Sequence, residues 1–139
     1  MENIANYIAK SGGLVPVCPI EVQTVPDDTD RIVDAVMKVH PLRFSRYQRA
    51  ASISALGQET ALPEAGSTAT THISGFQAGG TETYPMVELK ISIARDLIAL
   101  SEVMDAMIHA HHYVEPTIFV REDWASRAAY FPQSSNPNR

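Results

Sequence analysis

Between Val87 and Arg121 the hydrophobic period changes twice, and few folds accommodate both changes. Val87, Leu89, Ile91 and Ile93 alternate with Glu88, Lys90 and Ser92, the period of a strand with one buried face. Leu97, Leu100, Met104, Met107, Ile108 and His111 then recur three and four apart, along one side of a helix. Glu102, Asp105, His109 and His112 form a polar stripe on another side. Pro116 disfavours helical dihedrals at Glu115, so the helix is expected to end between His112 and Val114. Thr117 to Val120 then reads as a short strand of β-branched and aromatic residues.

An earlier unit has the same order. Val17 to Val25 is a strand candidate, with Ile20, Val22 and Thr24 on one side and Glu21 and Gln23 on the other. Pro19 implies either that regular pairing begins near Ile20 or that this end is a sheet edge. Asp27 or Asp28 can cap the following helix, whose apolar side is Ile32, Val33, Val36, Met37 and His40 and which Pro41 closes. With Phe44 to Ala55 as a further strand, the chain reads β-α-β-β-α-β, a ferredoxin-like α+β fold. Right-handed crossovers place both helices on one face of an antiparallel sheet. The other face then meets solvent or another subunit.

With 139 residues, 45% of them apolar and 19% charged, the chain is sized and composed for one globular domain. A formal charge of −5 argues against wrapping nucleic acid. The single Cys18 suits a reducing compartment. No apolar run approaches the ~20 residues that span a bilayer, and the start lacks a signal-peptide pattern. A cytoplasmic protein without membrane contact is expected.

The segment His111-His112-Tyr113-Val114-Glu115-Pro116-Thr117 resembles the His-Pro-Tyr-Glu-Glu-Pro-Ala signature after the last helix of the PII-like domain inserted in YqfO-type proteins. It is also similar to the His-Pro-Tyr-Glu-Val-Pro string of the CutA divalent-cation-tolerance family. His111, Tyr113, Glu115 and Pro116 match the YqfO-type signature; His112 and Val114 depart from it. Tyr47-Gln48-Arg49 and Gly57-Gln58 resemble further elements loosely. The likeness runs from about Ile20 to Arg121. It implies a PII/CutA-type domain over residues 17–121, between an N-terminal arm (1–16) and a C-terminal extension (122–139) with a disordered end. It also implies a homotrimer, with effectors in clefts between subunits and a role in signalling.

Two clusters are candidates for chemistry. Lys38, Arg43, Arg46 and Arg49 fall in a window from Ala35 to Gln58 that holds no acid, a plausible place for an anion. On a strand Arg43, Tyr47 and Arg49 would share a face. The ligand-binding set is therefore Arg43, Arg46, Tyr47 and Arg49, with Glu115 as a possible acceptor; the plainer alternative is a strand edge protected by charge. At the helix end, Asp105, His109 and His112 could converge on a divalent metal, with His72 or another subunit completing the shell. The plainer alternative is a solvated helix terminus, with His111 packed in the core. No nucleophile elbow or phosphate loop is present, so an enzyme is not expected, and no cofactor is indicated. Glu122 to Phe131 reads as a short helix capped by Asp123. Ile4 to Ile8 permits another that Gly12-Gly13 would stop.

Overall fold

The strand that orders the rest is β2 (Gly12–Thr24). In this computed structural model, which describes residues 3–4, 7–44, 46–62, 82–113 and 115–128, β2 has neighbours along both edges. On one edge lies β5 (Glu82–Ala94), antiparallel, with Val17 opposite Ala94 and Thr24 opposite Val87. That register sets Ile20 against Ile91 and Val22 against Leu89, merging two apolar rows into one patch, with Glu21 against Lys90 on the reverse. On the other edge, β6 (Ile118–Val120) and β7 (Asp123–Ala128) pair with β2 in succession. The short β1 (Ile8–Ala9) folds back on Gly12 and Gly13.

Proline placement explains where these ladders stop. In an antiparallel pair each bonded residue both donates and accepts. Arg121 N–H donates to Pro19 O at 3.0 Å, and Pro19 has no N–H to return. There the strand breaks into β6 and β7. Arg95 N–H donates to Pro16 O at 3.3 Å in the same way, and β5 ends at Ala94. Pro19 thus marks a discontinuity in a neighbour, not an edge or a start of β2.

The strand expected over Phe44 to Ala55 is mostly absent. Among the described residues of that span only β3 (Ser52–Ile53) pairs with β5, and β4 (Gly57–Ala61) continues beside Glu82–Met86. Ile53 faces Leu89 and Gly57 faces Met86, so three residues oppose two and the strand carries a bulge. Ser54 fills the gap: its N–H donates to Glu88 O at 3.0 Å, and its hydroxyl accepts from Glu88 N–H at 2.8 Å.

Both helices lie on the apolar face. A 3₁₀ turn (Pro26–Asp28) leads into α1 (Thr29–Met37), and α2 (Leu97–Ala110) follows β5. Ile32, Val33 and Val36 from α1 and Val103 and Met107 from α2 close over Cys18, Ile20, Val22, Leu89, Ile91 and Ile93. Asp96 caps α2, its Oδ1 accepting from Ile98 N–H at 2.9 Å. Leu97, the first residue of the expected apolar stripe, remains 80% exposed, Leu100 and Met104 are half-buried, and Met107 and His111 towards its end are buried. Asp28 stands at the N-terminus of α1 without capping it; its carboxylate is used elsewhere.

Two terminal expectations change. Glu122 to Phe131 was expected to be helical, yet Asp123–Ala128 is strand, because Gly12–Val17 offers an unpaired edge and long-range pairing overrides a weak local preference. The pairing from Ile8 onward likewise draws the end of the N-terminal arm into the sheet. Residues 65–81 of the expected loop, and residues 132–139, lie outside the described residues.

Candidate functional site

Residues 41–44 and 46–51 do not run as a strand because the backbone turns twice, at Leu42 and at Arg49. Leu42 has φ 47° and Arg49 φ 57°, a left-handed geometry that disfavours bulky side chains. Three observations hold it. Leu42 is 1% exposed. Its N–H donates to His40 Nδ1 at 3.0 Å, and its carbonyl accepts from Ala50 N–H at 2.9 Å. Between the two turns Phe44 and Tyr47 exchange backbone hydrogen bonds of 2.8 and 2.9 Å.

This loop disperses the expected arginine face. Arg49 turns toward α1, its Nη2 lying 2.7 Å from Asp34 Oδ1 and 3.4 Å from Asp30 Oδ1. Arg46 and Tyr47 are exposed on the turn, and Glu115 is exposed beyond α2. Arg43 instead lines a groove of about 330 Å³ on the open face of the sheet, together with Lys90 of β5 and Arg127 of β7. Pro19, Phe44, Ala50 and Ala51 form its apolar part, and Ser52 and Ser92 supply hydroxyls. The Arg127 guanidinium carbon lies 4.8 Å from the Phe44 ring centroid, within cation–π range. Among the described residues the ion pairs of Lys90 Nζ are long, 3.7 Å to Glu21 and 3.9 Å to Glu88. Lys90 and Arg127 come from distant strands, so no local run announces them. The outward position of Lys90 in the alternating strand was the one available signal.

The second cluster is the link after α2, where three consecutive residues bolt the helix end to three elements. His111 is 9% exposed and joins β2. Its Nδ1 accepts from Tyr113 N–H at 2.9 Å, so Nε2 carries the proton and donates to Gln23 O at 2.7 Å. Burial lowers its pKa, keeping the ring neutral. His112 joins α1: Nδ1 faces the Asp28 carboxylate, and Nε2 accepts from Arg31 Nη1 at 3.2 Å. Arg31 also donates from Nε to Ala110 O at 3.0 Å and pairs with Asp28 at 3.2 Å. Tyr113 joins the β4–β5 ribbon, its hydroxyl donating to Glu59 Oε2 at 3.3 Å. Tyr84, across from Glu59, bonds the same pair. Burial raises the Glu59 carboxyl against the opposing effect of both tyrosines. It raises the Tyr113 phenol well beyond the usual range.

The expected metal set does not assemble. Because α2 ends at Ala110 and His111 is extended, His112 leaves the helical stripe and turns to α1. His109 Nδ1 lies 2.7 Å from the Asp105 backbone carbonyl, one turn back. Among the described residues no three His, Cys, Asp or Glu side chains gather to hold a metal. His72 lies outside them.

No protein-family model matches the sequence, and no curated protein does. Solved structures do match. A Bacillus cereus protein related to NIF3 superposes with TM-score 0.60 at 17% identity, over 84% of this chain and 28% of that one. CutA1 from Ehrlichia chaffeensis, a divalent ion tolerance protein, gives 0.53 at 10% identity over 94% and 90%. CutA1 from Oryza sativa gives 0.53 at 13% over 78% and 81%. The fold is PII/CutA-like. The antiparallel sheet of seven strands with both described helices over one face is the expected α+β architecture. This chain spans only 28% of the NIF3-related protein. Among the described residues no helix is long and apolar enough to cross a membrane.

Proposed function

We propose that the protein is a homotrimeric, non-catalytic PII/CutA-like module that senses a small anionic ligand in a reducing cytoplasm and relays its presence to a protein partner. The observation that carries this is the two-sided sheet. Helices close one face, while the other presents Glu21, Lys90, Ser92 and the Arg43 groove beside exposed Phe44 and Phe119. A polar face flanked by large apolar side chains suits a companion chain whose arrival would narrow the groove into a cleft. The resemblance at His111-x-Tyr113-x-Glu115-Pro116 implies the same assembly.

Light scattering on the full chain tests the assembly: three times the chain mass is expected, and a persistent monomer at high micromolar concentration overturns it. Thermal-shift and calorimetric screens of nucleotides and phosphorylated metabolites test the ligand. No response across the screen removes the sensing role.

A further inference from the structure

We infer that the anion is held by Arg43, Lys90 and Arg127 on the open sheet face, and that the ligand joins an oxyanion group to a short apolar body. This rests on the proposed ligand-sensing role and assigns it a place and a chemistry.

The three cations come from a loop, a central strand and the last strand, so their meeting is a product of the fold and not of a basic run. The chain as a whole is acidic, yet among the described residues none that lines the groove is Asp or Glu. A concentration of positive charge in such a chain draws in small anions. Its apolar part, with Pro19 and Phe44 beside Ala50 and Ala51, gives the ligand's body a surface to desolvate. Ser52 and Ser92 can donate to remaining oxygens. Stacking on Phe44, together with a 2.8 Å bond from Arg127 Nη1 to Ser126 O, orders the Arg127 guanidinium in advance, so less side-chain freedom is lost on binding. Arg43 follows directly on the strained, buried Leu42, which fixes the start of the loop. The volume of about 330 Å³ suits a metabolite and not a polymer. Glu21 and Glu88 touch Lys90 only at long range, so an oxyanion competes with weak partners.

Calorimetry on the full chain with three probes tests this: inorganic phosphate, a short aliphatic dicarboxylate and a nucleoside monophosphate. At least one of the two probes that carry an organic body should bind more tightly than phosphate. Arg43→Gln and Arg127→Gln should each weaken it about tenfold or more, the equivalent of one charge-assisted hydrogen bond. Arg127→Lys, which keeps the charge but not the planar stack, should fall between. Lys38→Gln removes the same charge from the helical side and should change affinity by no more than about twofold. Light scattering on each variant reports separately on assembly. Binding that survives both Gln variants overturns the groove while leaving a sensing role intact. Equal losses from Lys38→Gln and Arg43→Gln overturn it too, since only net charge would then matter. A native protein of the expected mass that binds no probe at millimolar concentration overturns the site without touching the trimer.

Discussion

The two faces of the sheet are made from the same two strands, one residue out of step, and they are finished to different degrees. On the helical face Ile20, Val22, Leu89 and Ile93 are at most 2% exposed and meet side chains from both helices. On the reverse, among their sequence neighbours, Lys90 forms loose ion pairs with Glu21 and Glu88 and lines a groove. A period of two therefore assigns stability to one face and leaves the other available for recognition. Removing apolar volume tests that division most severely. Ile20→Ala or Leu89→Ala should cost about 2–5 kcal/mol, whereas Ser92→Ala on the reverse should stay within about 0.5 kcal/mol. Denaturant unfolding measures both; comparable losses would show that the open face also carries the monomer.

His111 lies where the sealed side is fastened to the end of α2. Replacing it with Ala strands Gln23 O and Tyr113 N–H and should cost about 1–3 kcal/mol. Its titration gives a second handle. Burial holds the folded pKa below the ordinary 6.5, so the unfolded chain takes up this proton first. Its share of stability is whole above about pH 6.5, is lost as pH falls from there through the folded pKa, and then levels off. Glu59 has the opposite sign, because its carboxyl is raised above 4.5 by burial. The folded state binds that proton first, and the associated stability disappears as pH rises through the folded pKa. Unfolding midpoints against pH for the native chain, His111→Ala and Glu59→Gln separate them. The acid slope near pH 6 should flatten in the first variant only.

Sequence periodicity foretold the sealed face well and the open face poorly, for a physical reason. Burial repeats along a chain, so Val87 to Ile93 and Ile20 to Thr24 reveal their inward side, and four matching residues near His111 sufficed to suggest the fold. Recognition on the reverse depends on residues that meet only after folding. Arg43 was visible as part of a basic run, but its partners Lys90 and Arg127 were not. Arg49, assigned to the same face, is instead drawn to Asp34 by a backbone turn that no residue type announces. The polar stripe at Asp105, His109 and His112 presumed a helix reaching two residues further than it does. His111, by contrast, is the packed histidine that its position beside Met107 implied.

Helix capping is a smaller test of the same contrast. Asp96 serves α2 through two backbone N–H groups, whereas Asp28 leaves the start of α1 uncapped and spends its carboxylate on Arg31 and His112. Asp96→Ala should therefore cost about 1 kcal/mol with little change in the link after α2. Asp28→Asn should alter that link instead, shifting the His112 and Arg31 side-chain resonances. If Asp96→Ala moved those resonances equally, the two ends of the helical layer would be coupled through the body of α2 and not fastened separately.

The smallest effect is expected where the open face is tied to the helical side from outside. Arg49 reaches Asp34 and Asp30 across solvent, with its own side chain 42% exposed and theirs 66% and 85%. Hydrogen bonding to Asp34 raises its pKa, but a guanidinium is charged at any working pH, so that shift carries no pH dependence. Water and salt screen such pairs. Arg49→Gln should leave the unfolding midpoint within replicate scatter in physiological salt, with any difference visible only at low ionic strength. The left-handed turns at Leu42 and Arg49 should persist, because Leu42 is buried and its backbone bonds to His40 and Ala50 do not involve the guanidinium. A large, salt-sensitive loss would instead make the Asp30–Asp34 flank of α1 the element that shapes the loop, and the groove beside Arg43 would then depend on the helical side for its geometry.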